Sequence, residues 1–366
     1  MCGIAGLWMP GGGDQGARAR AMAARLAHRG PDGAGVWSDP HAAIALAQRR
    51  LAIIDLSPGA AQPMADRSGR FVITYNGELY NYRALGEDLA SLGFAARGQS
   101  DTAVLLEAIA AWGVEAALPR LNGMFAFACF DRRDRRLWLA RDHAGIKPLC
   151  FRAGGGTLLF ASELSALVAA GTFTPELDPD VAGLFLRDAS VPAPWSALMG
   201  VHQLRPGEVL AFDAPDRMRA RRWFDPARLG ETPYAGTAAA AEAELEALLA
   251  DAVRLQQVAD VPVGAFLSGG VDSSLIAALA GRPRTFTIGF AEAAYGEQHH
   301  AEAIAQHLGT RHATRMVTAE DVRALLPRVL AIDDEPFADS SILPTLMLAE
   351  TSREAVTVAL SGDGGD

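Results

Sequence analysis

The second residue of the chain is a cysteine, in the run Met1-Cys2-Gly3-Ile4-Ala5-Gly6-Leu7. An initiator methionine followed by a small residue is readily trimmed, which would leave Cys2 with a thiol and a free α-amine on one residue. The amine titrates at roughly 7.7–8.0 and the thiol near about 8.5. Near neutral pH the amine can take the thiol's proton, so a nucleophile arises with no histidine involved.

A second set of residues suits an anion. Phe266-Leu267-Ser268-Gly269-Gly270-Val271-Asp272-Ser273-Ser274 reads as an apolar strand ending in a Ser-Gly-Gly turn, with a helix opening a few residues later. Two glycines let consecutive N–H groups point into one concavity, and the helix N-terminus adds partial positive charge. Ser268, Ser273 and Ser274 supply hydroxyls, and Asp272 supplies a hard oxygen for Mg²⁺. The spacing lacks Gly-x-x-x-x-Gly-Lys-Ser/Thr, so a kinase-type P-loop is not indicated. The chain ends on a similar turn, Val358-Ala359-Leu360-Ser361-Gly362-Asp363-Gly364-Gly365-Asp366. Side by side on a parallel sheet, the two turns could hold a nucleotide and bring Asp272 and Asp366 onto one metal ion, as Mg²⁺–ATP chemistry needs.

The elements that would position these residues differ between the two halves. Before residue 214 the short apolar runs Ala43–Leu46, Leu51–Ile54, Phe71–Tyr75, Met124–Phe130 and Leu137–Ala140 read as strands, with 207–213 as the last of them. Ala17–Ala27 and Asp101–Trp112 carry helical spacing, the second capped by Ser100 or Asp101. Antiparallel strands mixed with helices predict a layered α+β domain. Residues 214–235 are rich in Pro, Arg and Gly without periodicity and read as a linker. After the helix Ala238–Arg254, the runs Val261–Leu267, Ser273–Gly281, Arg284–Phe290, Gln298–Leu308, Leu343–Thr351 and Ala355–Leu360 read as β, α, β, α, α, β. That order predicts a parallel sheet with ligands at the carboxyl ends of its strands. The expected domains are 2–213 and 236–366, joined by 214–235.

The 366 residues are 50% hydrophobic and 21% charged, which suits two globular domains with sizeable cores. A net charge of −10 argues against non-specific nucleic-acid binding and against an anionic membrane surface. An anionic nucleotide must then be held by local geometry. Three cysteines, Cys2, Cys129 and Cys150, give no disulfide framework and fit a reducing compartment. The absence of a charged leader with an apolar segment, and of any apolar run of about 18 residues, leads to the expectation of a cytoplasmic chain. His299, His300 and His307 fall in a helical pattern and read as solvent-facing or packing residues, not metal ligands.

Ser-Gly-Gly-x-Asp-Ser is similar to the pyrophosphate loop of ATP pyrophosphatases, which adenylate a carboxylate or carbonyl and release pyrophosphate. With the amino-terminal cysteine, the ordered motifs of essentially the whole chain resemble one family, the glutamine-hydrolysing asparagine synthetases. The resemblance rests on Cys2-Gly3-Ile4, His28-Arg29-Gly30-Pro31-Asp32-Gly33, Arg50-Leu51-Ala52-Ile53-Ile54-Asp55, Tyr75-Asn76-Gly77-Glu78-Leu79-Tyr80-Asn81 and Ser100-Asp101. It continues through Asp142-Gly145-Lys147-Pro148-Leu149, Phe160-Ala161-Ser162-Glu163, Leu204-Pro206-Gly207, the pyrophosphate loop, Asp334-Glu335-Pro336-Phe337-Ala338-Asp339 and the terminal Ser-Gly-Asp-Gly-Gly-Asp.

That resemblance implies an N-terminal-nucleophile (αββα) glutaminase domain followed by an α/β parallel-sheet ATP-pyrophosphatase domain. It implies glutamine held by Arg50 at its α-carboxylate and by Asp101 at its ammonium, with Leu51, Ala52, Ile53, Ile54, Asn76, Gly77 and Glu78 completing the grip. Asn76 and the Gly77 N–H would form the oxyanion hole beside Cys2. The adjacent Arg49 is set aside because the Arg-Leu-Ala-Ile pattern selects Arg50. ATP would meet Leu267, Ser268, Gly269, Gly270, Asp272, Ser273, Ser274, Ile288, Ser361 and Gly362, with Asp363 serving acyl-adenylate formation and Mg²⁺ on Asp272 and Asp366. The implied reaction amidates aspartate through a Cys2 thioester and β-aspartyl-AMP, with ammonia kept unprotonated in an internal channel. The expected partners are glutamine, aspartate and ATP, with no nucleic acid or membrane; a homodimer is compatible with the family.

Relatives continue beyond the position of Asp366 with a region that closes the acceptor pocket. The 366-residue form is therefore expected to hydrolyse glutamine while making little asparagine. Two other readings stand beside this one. An enzyme of the same family could amidate another carboxylate, such as a cell-wall or secondary-metabolite precursor. A module could sense glutamine or ATP without turnover, although Cys2, Arg50, Asn76 and Asp101 together argue against that. A β-lactam-synthetase-like reading fits less well, since such relatives lose the nucleophile retained here as Cys2.

Overall fold

Strand β1 (Gly3–Trp8) is buried at all 6 of its residues, because the sheet it belongs to is covered on both faces. It is followed by α1 (Gln15–Arg25), β2 (Gly33–Asp39), β3 (Ile44–Arg50), β4 (Met64–Ala65), β5 (Phe71–Leu79), α2 (Tyr82–Ser91), α3 (Asp101–Trp112) and α4 (Val114–Ala117). Next come β6 (Gly123–Asp131), β7 (Arg136–Arg141), β8 (Cys150–Gly154), β9 (Thr157–Ala161), α5 (Leu164–Ala169), α6 (Pro179–Asp188), β10 (His202–Gln203), β11 (Glu208–Ala214) and β12 (Arg217–Arg222). This computed structural model describes residues 1–96, 98–290, 296–332 and 334–365. The chain divides into two units, Met1–Thr232 with Asp334–Phe337, and Pro233–Asp333 with Ala338–Asp366.

The first unit holds two antiparallel sheets, ordered β10-β8-β9-β1-β3-β2 and β12-β11-β7-β6-β5-β4. Three apolar layers stack them. Leu7, Met22 and Leu167 lie in a cluster between α1, α5 and the outer face of the first sheet. Ile4, Leu46, Phe130 and Phe160 fill the space between the sheets. Tyr75, Leu105, Ile109 and Phe127 join the second sheet to α2 and α3. The result is an αββα sandwich, in which central strands read as continuous apolar runs because water touches neither face. The cap on α3 is Ser100, whose hydroxyl accepts from the Ala103 N–H.

Three expectations change here. Leu51–Ile54 is a loop, not a strand, because neighbouring side chains take its polar backbone groups. Residues 207–213 are not the last strand, since Arg217–Arg222 in the expected linker pairs antiparallel with β11. The segment Asp334–Phe337 packs in this first unit although it lies late in the chain. There Asp334 Oδ2 accepts from the Ser165 N–H in the first turn of α5, and Glu335 accepts from the Ala197 N–H at 3.0 Å and the Gln203 amide at 3.1 Å.

The second unit comprises α7 (Ala238–Gln256), β13 (Val263–Phe266), α8 (Val271–Leu279), β14 (Arg284–Phe290), α9 (Gln298–Leu308), β15 (Arg311–Val317), α10 (Ala319–Ile332), α11 (Ile342–Arg353) and β16 (Val358–Leu360). Its sheet runs β15-β14-β13-β16 with every pairing parallel. The expected series lacked β15 and α10. Arg311-His312-Ala313-Thr314-Arg315-Met316-Val317 is an edge strand, which needs no apolar pattern on both faces. The helix α10 carries Pro327 inside it, which in a sequence reads as a break. His299, His300 and His307 are exposed on α9. Among the described residues, no single helix is long and apolar enough to cross a membrane.

Candidate active site

Cys2 immediately precedes β1, and β1 pairs with β3 so that Gly3 lies opposite Arg49. This register brings the thiol to the loop that follows β3. Its Sγ accepts from the Leu51 N–H at 3.4 Å and faces the Leu51 carbonyl at 3.6 Å. Burial pushes the thiol above its ordinary value, against the Leu51 N–H, the amino terminus and Arg50, which pull it down. A thiol held up this way needs a base to ionise it.

The loop after β3 is shaped by charged side chains. The Arg50 guanidinium donates to the carbonyls of Ser57 (3.3 Å), Ile54 (3.4 Å) and Asp55. Asp32 Oδ2 accepts from the Ala52 N–H at 2.9 Å, and the Asp32 N–H donates to the Arg50 carbonyl at 2.9 Å. Gly30 must be glycine, since a Cβ there would lie 2.3 Å from the carbonyl carbon of Arg49. Arg50, Leu51, Ala52, Ile53 and Ile54 thus form one loop that touches Cys2 through Leu51, with Arg50 shaping the loop and keeping its Nε uncommitted among the described residues.

The other wall comes from β5, which packs across the sandwich against β1 and β3. Asn76 is 1% exposed, and its Nδ2 has no hydrogen-bond partner among the described residues. An unused buried donor costs free energy and marks a place where an acceptor is expected. A Cβ at Gly77 would stand 2.3 Å from the Met124 carbonyl oxygen, so the close approach of β6 requires glycine. Asp101, the first residue of α3, is buried and accepts from Tyr75 OH (3.1 Å), the Leu79 N–H (3.0 Å) and the Thr102 N–H (2.8 Å). Burial still leaves its carboxyl above the usual range. Glu78 is pushed up to about 7, first by burial and then by the Asp101 charge, with Lys147 and the amino terminus opposing. Two buried carboxyls on one wall suit an ammonium ligand.

One further side chain reaches Cys2, held by a carboxylate that also meets His28, and residue-by-residue reasoning left it without a role. Arg29 Nε donates to the Cys2 carbonyl at 3.0 Å, and its Nη1 pairs with Glu163 Oε1 at 2.7 Å; His28 Nε2 meets the same oxygen at 3.0 Å. The signal was present, since Arg29 and Glu163 belong to motifs noted above.

In the second unit the sheet order changes direction between β13 and β16, the switch point at which open parallel sheets bind ligands. The Leu267–Gly270 turn follows β13 and the Ser361–Gly365 turn follows β16. The second turn packs on the first turn of α8: a Cβ at Gly362 would lie 2.7 Å from the Ser273 nitrogen, and one at Gly365 would lie 3.0 Å from Asp272 Oδ1. Within the first turn, Ser268 Oγ and Ser273 Oγ are 2.9 Å apart, and Ser274 Oγ donates to the Gly270 carbonyl. A cavity of about 670 Å³ opens over both turns, lined by Leu267, Ser268, Gly270, Asp272, Ser273, Ile288, Ser361, Gly362 and Asp363. Gly269 and Ser274 lie in the turn without lining the cavity, and Thr287, Ser341 and Thr345 line it without having been expected. Asp366 lies outside the described residues, so the Asp272–Asp366 pairing has no geometry to report.

This layering is that of an N-terminal-nucleophile amidotransferase joined to a nucleotide-binding parallel-sheet domain. Family models agree, with a glutamine amidotransferase domain over residues 1–224 and an asparagine synthase domain over residues 244–366. A putative glutamine-hydrolysing asparagine synthetase of Mycobacterium tuberculosis H37Rv is 37% identical, with all of this chain and 59% of the relative covered. Asparagine synthetase (glutamine-hydrolysing) 1 of Bacillus subtilis is 32% identical, covered over 58% of its length and 100% of this chain. A putative asparagine synthetase of Methanocaldococcus jannaschii is 32% identical, covered over 74% of its length and 100% of this chain. The chain belongs to the family of glutamine-hydrolysing asparagine synthetases. It spans about three-fifths of the length of the first two relatives.

Proposed function

We propose that the chain carries the glutaminase and ATP sites of a reaction that transfers the amide nitrogen of glutamine to aspartate at the expense of ATP. After Met1 is removed, the Cys2 amine takes the thiol's proton and the thiolate attacks the side-chain carbonyl carbon of glutamine. The resulting oxyanion is met by Asn76 Nδ2–H and the Gly77 N–H. The ammonium proton passes to the departing nitrogen, ammonia leaves, and water hydrolyses the thioester to glutamate. Arg50 grips the glutamine α-carboxylate, and Glu78 with Asp101 holds its ammonium. The loop Leu51–Ile54 closes the pocket around the thiol.

In the second unit, the aspartate side-chain carboxylate attacks the α-phosphorus of ATP to give β-aspartyl-AMP and pyrophosphate. Ammonia then attacks the acyl carbon, and asparagine and AMP leave. Ser268, the backbone of Gly269 and Gly270, Ser273, Ser361 and Gly362 cradle the phosphates, and Ile288 lines the nucleotide cavity. Asp363 lies at the acyl-adenylate. Glycine at 365 keeps space open in front of Asp272 Oδ1, which fits Asp272 to a hard cation. Bound there, Mg²⁺ would neutralise charge on the leaving pyrophosphate.

The observation that carries this reading is the buried, unpartnered Asn76 Nδ2 in the unit that holds Cys2. The test is glutamate release from glutamine by this chain. Cys2→Ala should abolish it while sparing ATP-dependent pyrophosphate release. Mass spectrometry showing Met1 retained on protein that still hydrolyses glutamine would overturn the reading.

A further inference from the structure

The motif Asp142-Gly145-Lys147-Pro148-Leu149 has no part in the reaction written above, yet it is built with care for one outcome. Asp142 is 1% exposed, and its carboxylate collects four backbone N–H groups. Oδ1 accepts from Ala144 (3.1 Å) and Ile146 (2.9 Å), and Oδ2 accepts from Phe125 (3.1 Å) and Lys147 (3.0 Å). On the outside of the turn, Arg141 donates to the carbonyls of Lys147 (2.9 Å), Gly145 (2.6 Å) and Leu204. Gly145, at φ +71°, allows the chain to reverse inside this cage. A turn fixed from both sides aims the Lys147 side chain in one direction.

That direction is the amino terminus. Lys147 is 4% exposed, and its Nζ lies 3.0 Å from Met1 Sδ, the one hydrogen bond it makes among the described residues. A thioether is a weak acceptor, poor compensation for a buried ammonium. The charged groups facing it are Glu78 from β5, Arg29 from the segment after α1, Asp142 from its own turn and Cys2 at the head of β1. Burial holds Lys147 below its ordinary value, with Glu78 the largest opposing influence. Its main contact is thus with a residue that maturation would remove.

We infer that Lys147 is a positioning residue for the mature amino terminus. Once Met1 has gone, its ammonium lies beside the Cys2 amine and thiol and biases both toward their unprotonated forms. A neighbouring cation disfavours a protonated amine and favours a thiolate. This rests on the proposed role of Cys2 and adds the group that tunes it.

The test compares Lys147→Met with Lys147→Arg in the full chain, after mass spectrometry has established that Met1 is absent from each. The kcat/KM for glutamine hydrolysis is followed from about pH 5.5 to about pH 9.5. Lys147→Met should lose about tenfold at pH 6 and rejoin the wild type near about pH 9, while Lys147→Arg stays close to wild type. Alkylation of Cys2 by iodoacetamide should slow by a similar factor near neutral pH. An unchanged profile, or a uniform loss at every pH with unchanged alkylation, would overturn the inference. Lys147→Gln replaces the methionine variant where that variant fails to fold. Should the wild-type chain release no glutamate at any pH, the proposed function fails, and the alkylation arm still decides the role of Lys147.

Discussion

Replacing Asn76 by leucine should yield a protein that is stable and nearly inactive. The side chain is 1% exposed, and Nδ2 has no partner among the described residues to lose. An unpaired buried donor carries a desolvation cost of about 1–3 kcal/mol, so an apolar side chain of similar size should leave stability unchanged or raise it by about 1 kcal/mol. The amide's value lies elsewhere, as a donor to charge that develops only when the glutamine carbonyl becomes tetrahedral. Losing one such donor costs roughly 10²–10³ in kcat, or about 3–4 kcal/mol. Because the neutral ground-state carbonyl gains less from the same donor, KM should change little. Steady-state glutamate release gives kcat and KM, and the denaturant midpoint of the same sample gives stability. A kcat within threefold of wild type would remove Asn76 from the oxyanion site. A large loss accompanied by an equally large destabilisation would show that the amide is structural.

Two other substitutions separate the sites and the charges. Asp272→Asn should abolish ATP-dependent pyrophosphate release and leave glutamine hydrolysis intact; unchanged pyrophosphate release would remove Asp272 from the phosphate site. Glu78 is raised from 4.5 to about 7, so the folded chain keeps a proton that the unfolded chain has already released. The penalty for ionising it is absent below about pH 4.5 and complete above about pH 7, so stability falls with rising pH across that window. Glu78→Gln should leave the denaturant midpoint unchanged near pH 4.5 and raise stability by on the order of 3 kcal/mol at pH 8. An equal change at both pH values would contradict the assigned cause. The same variant should raise KM for glutamine, because the ammonium loses a counter-charge.

Local pattern determined much of this chain. Helices α3 and α9 and strand β14 follow the periodicity of Asp101–Trp112, Gln298–Leu308 and Arg284–Phe290, and Ser100 caps α3 as its type and place suggest. The two glycine turns of the second unit were legible because the chemistry there belongs to backbone N–H groups and hydroxyls within short segments. The order of the motifs along the chain points to the family without reference to any tertiary contact.

Other features depended on residues distant in sequence. Leu51–Ile54 has the composition of a strand and is a loop, because Arg50, Asp32 and Cys2 take its polar groups and no neighbouring strand does. Arg311–Val317 hides as a strand because an edge position tolerates arginines, and α10 hides behind Pro327. The burial that lifts Glu78, the unpartnered state of Asn76 Nδ2, and the place of Asp334 and Glu335 in the first unit arise from contacts spanning tens to hundreds of residues. The sequence thus determined which chemical groups were available and which short segments would hold them. Only the tertiary structure decided their environment, since solvent exclusion and charge proximity are properties of the packed sheets, not of any segment alone. Lys147 shows the division: its motif was visible in the chain, and its position against the amino terminus exists only because β1 and the Asp142 turn meet in the folded sandwich.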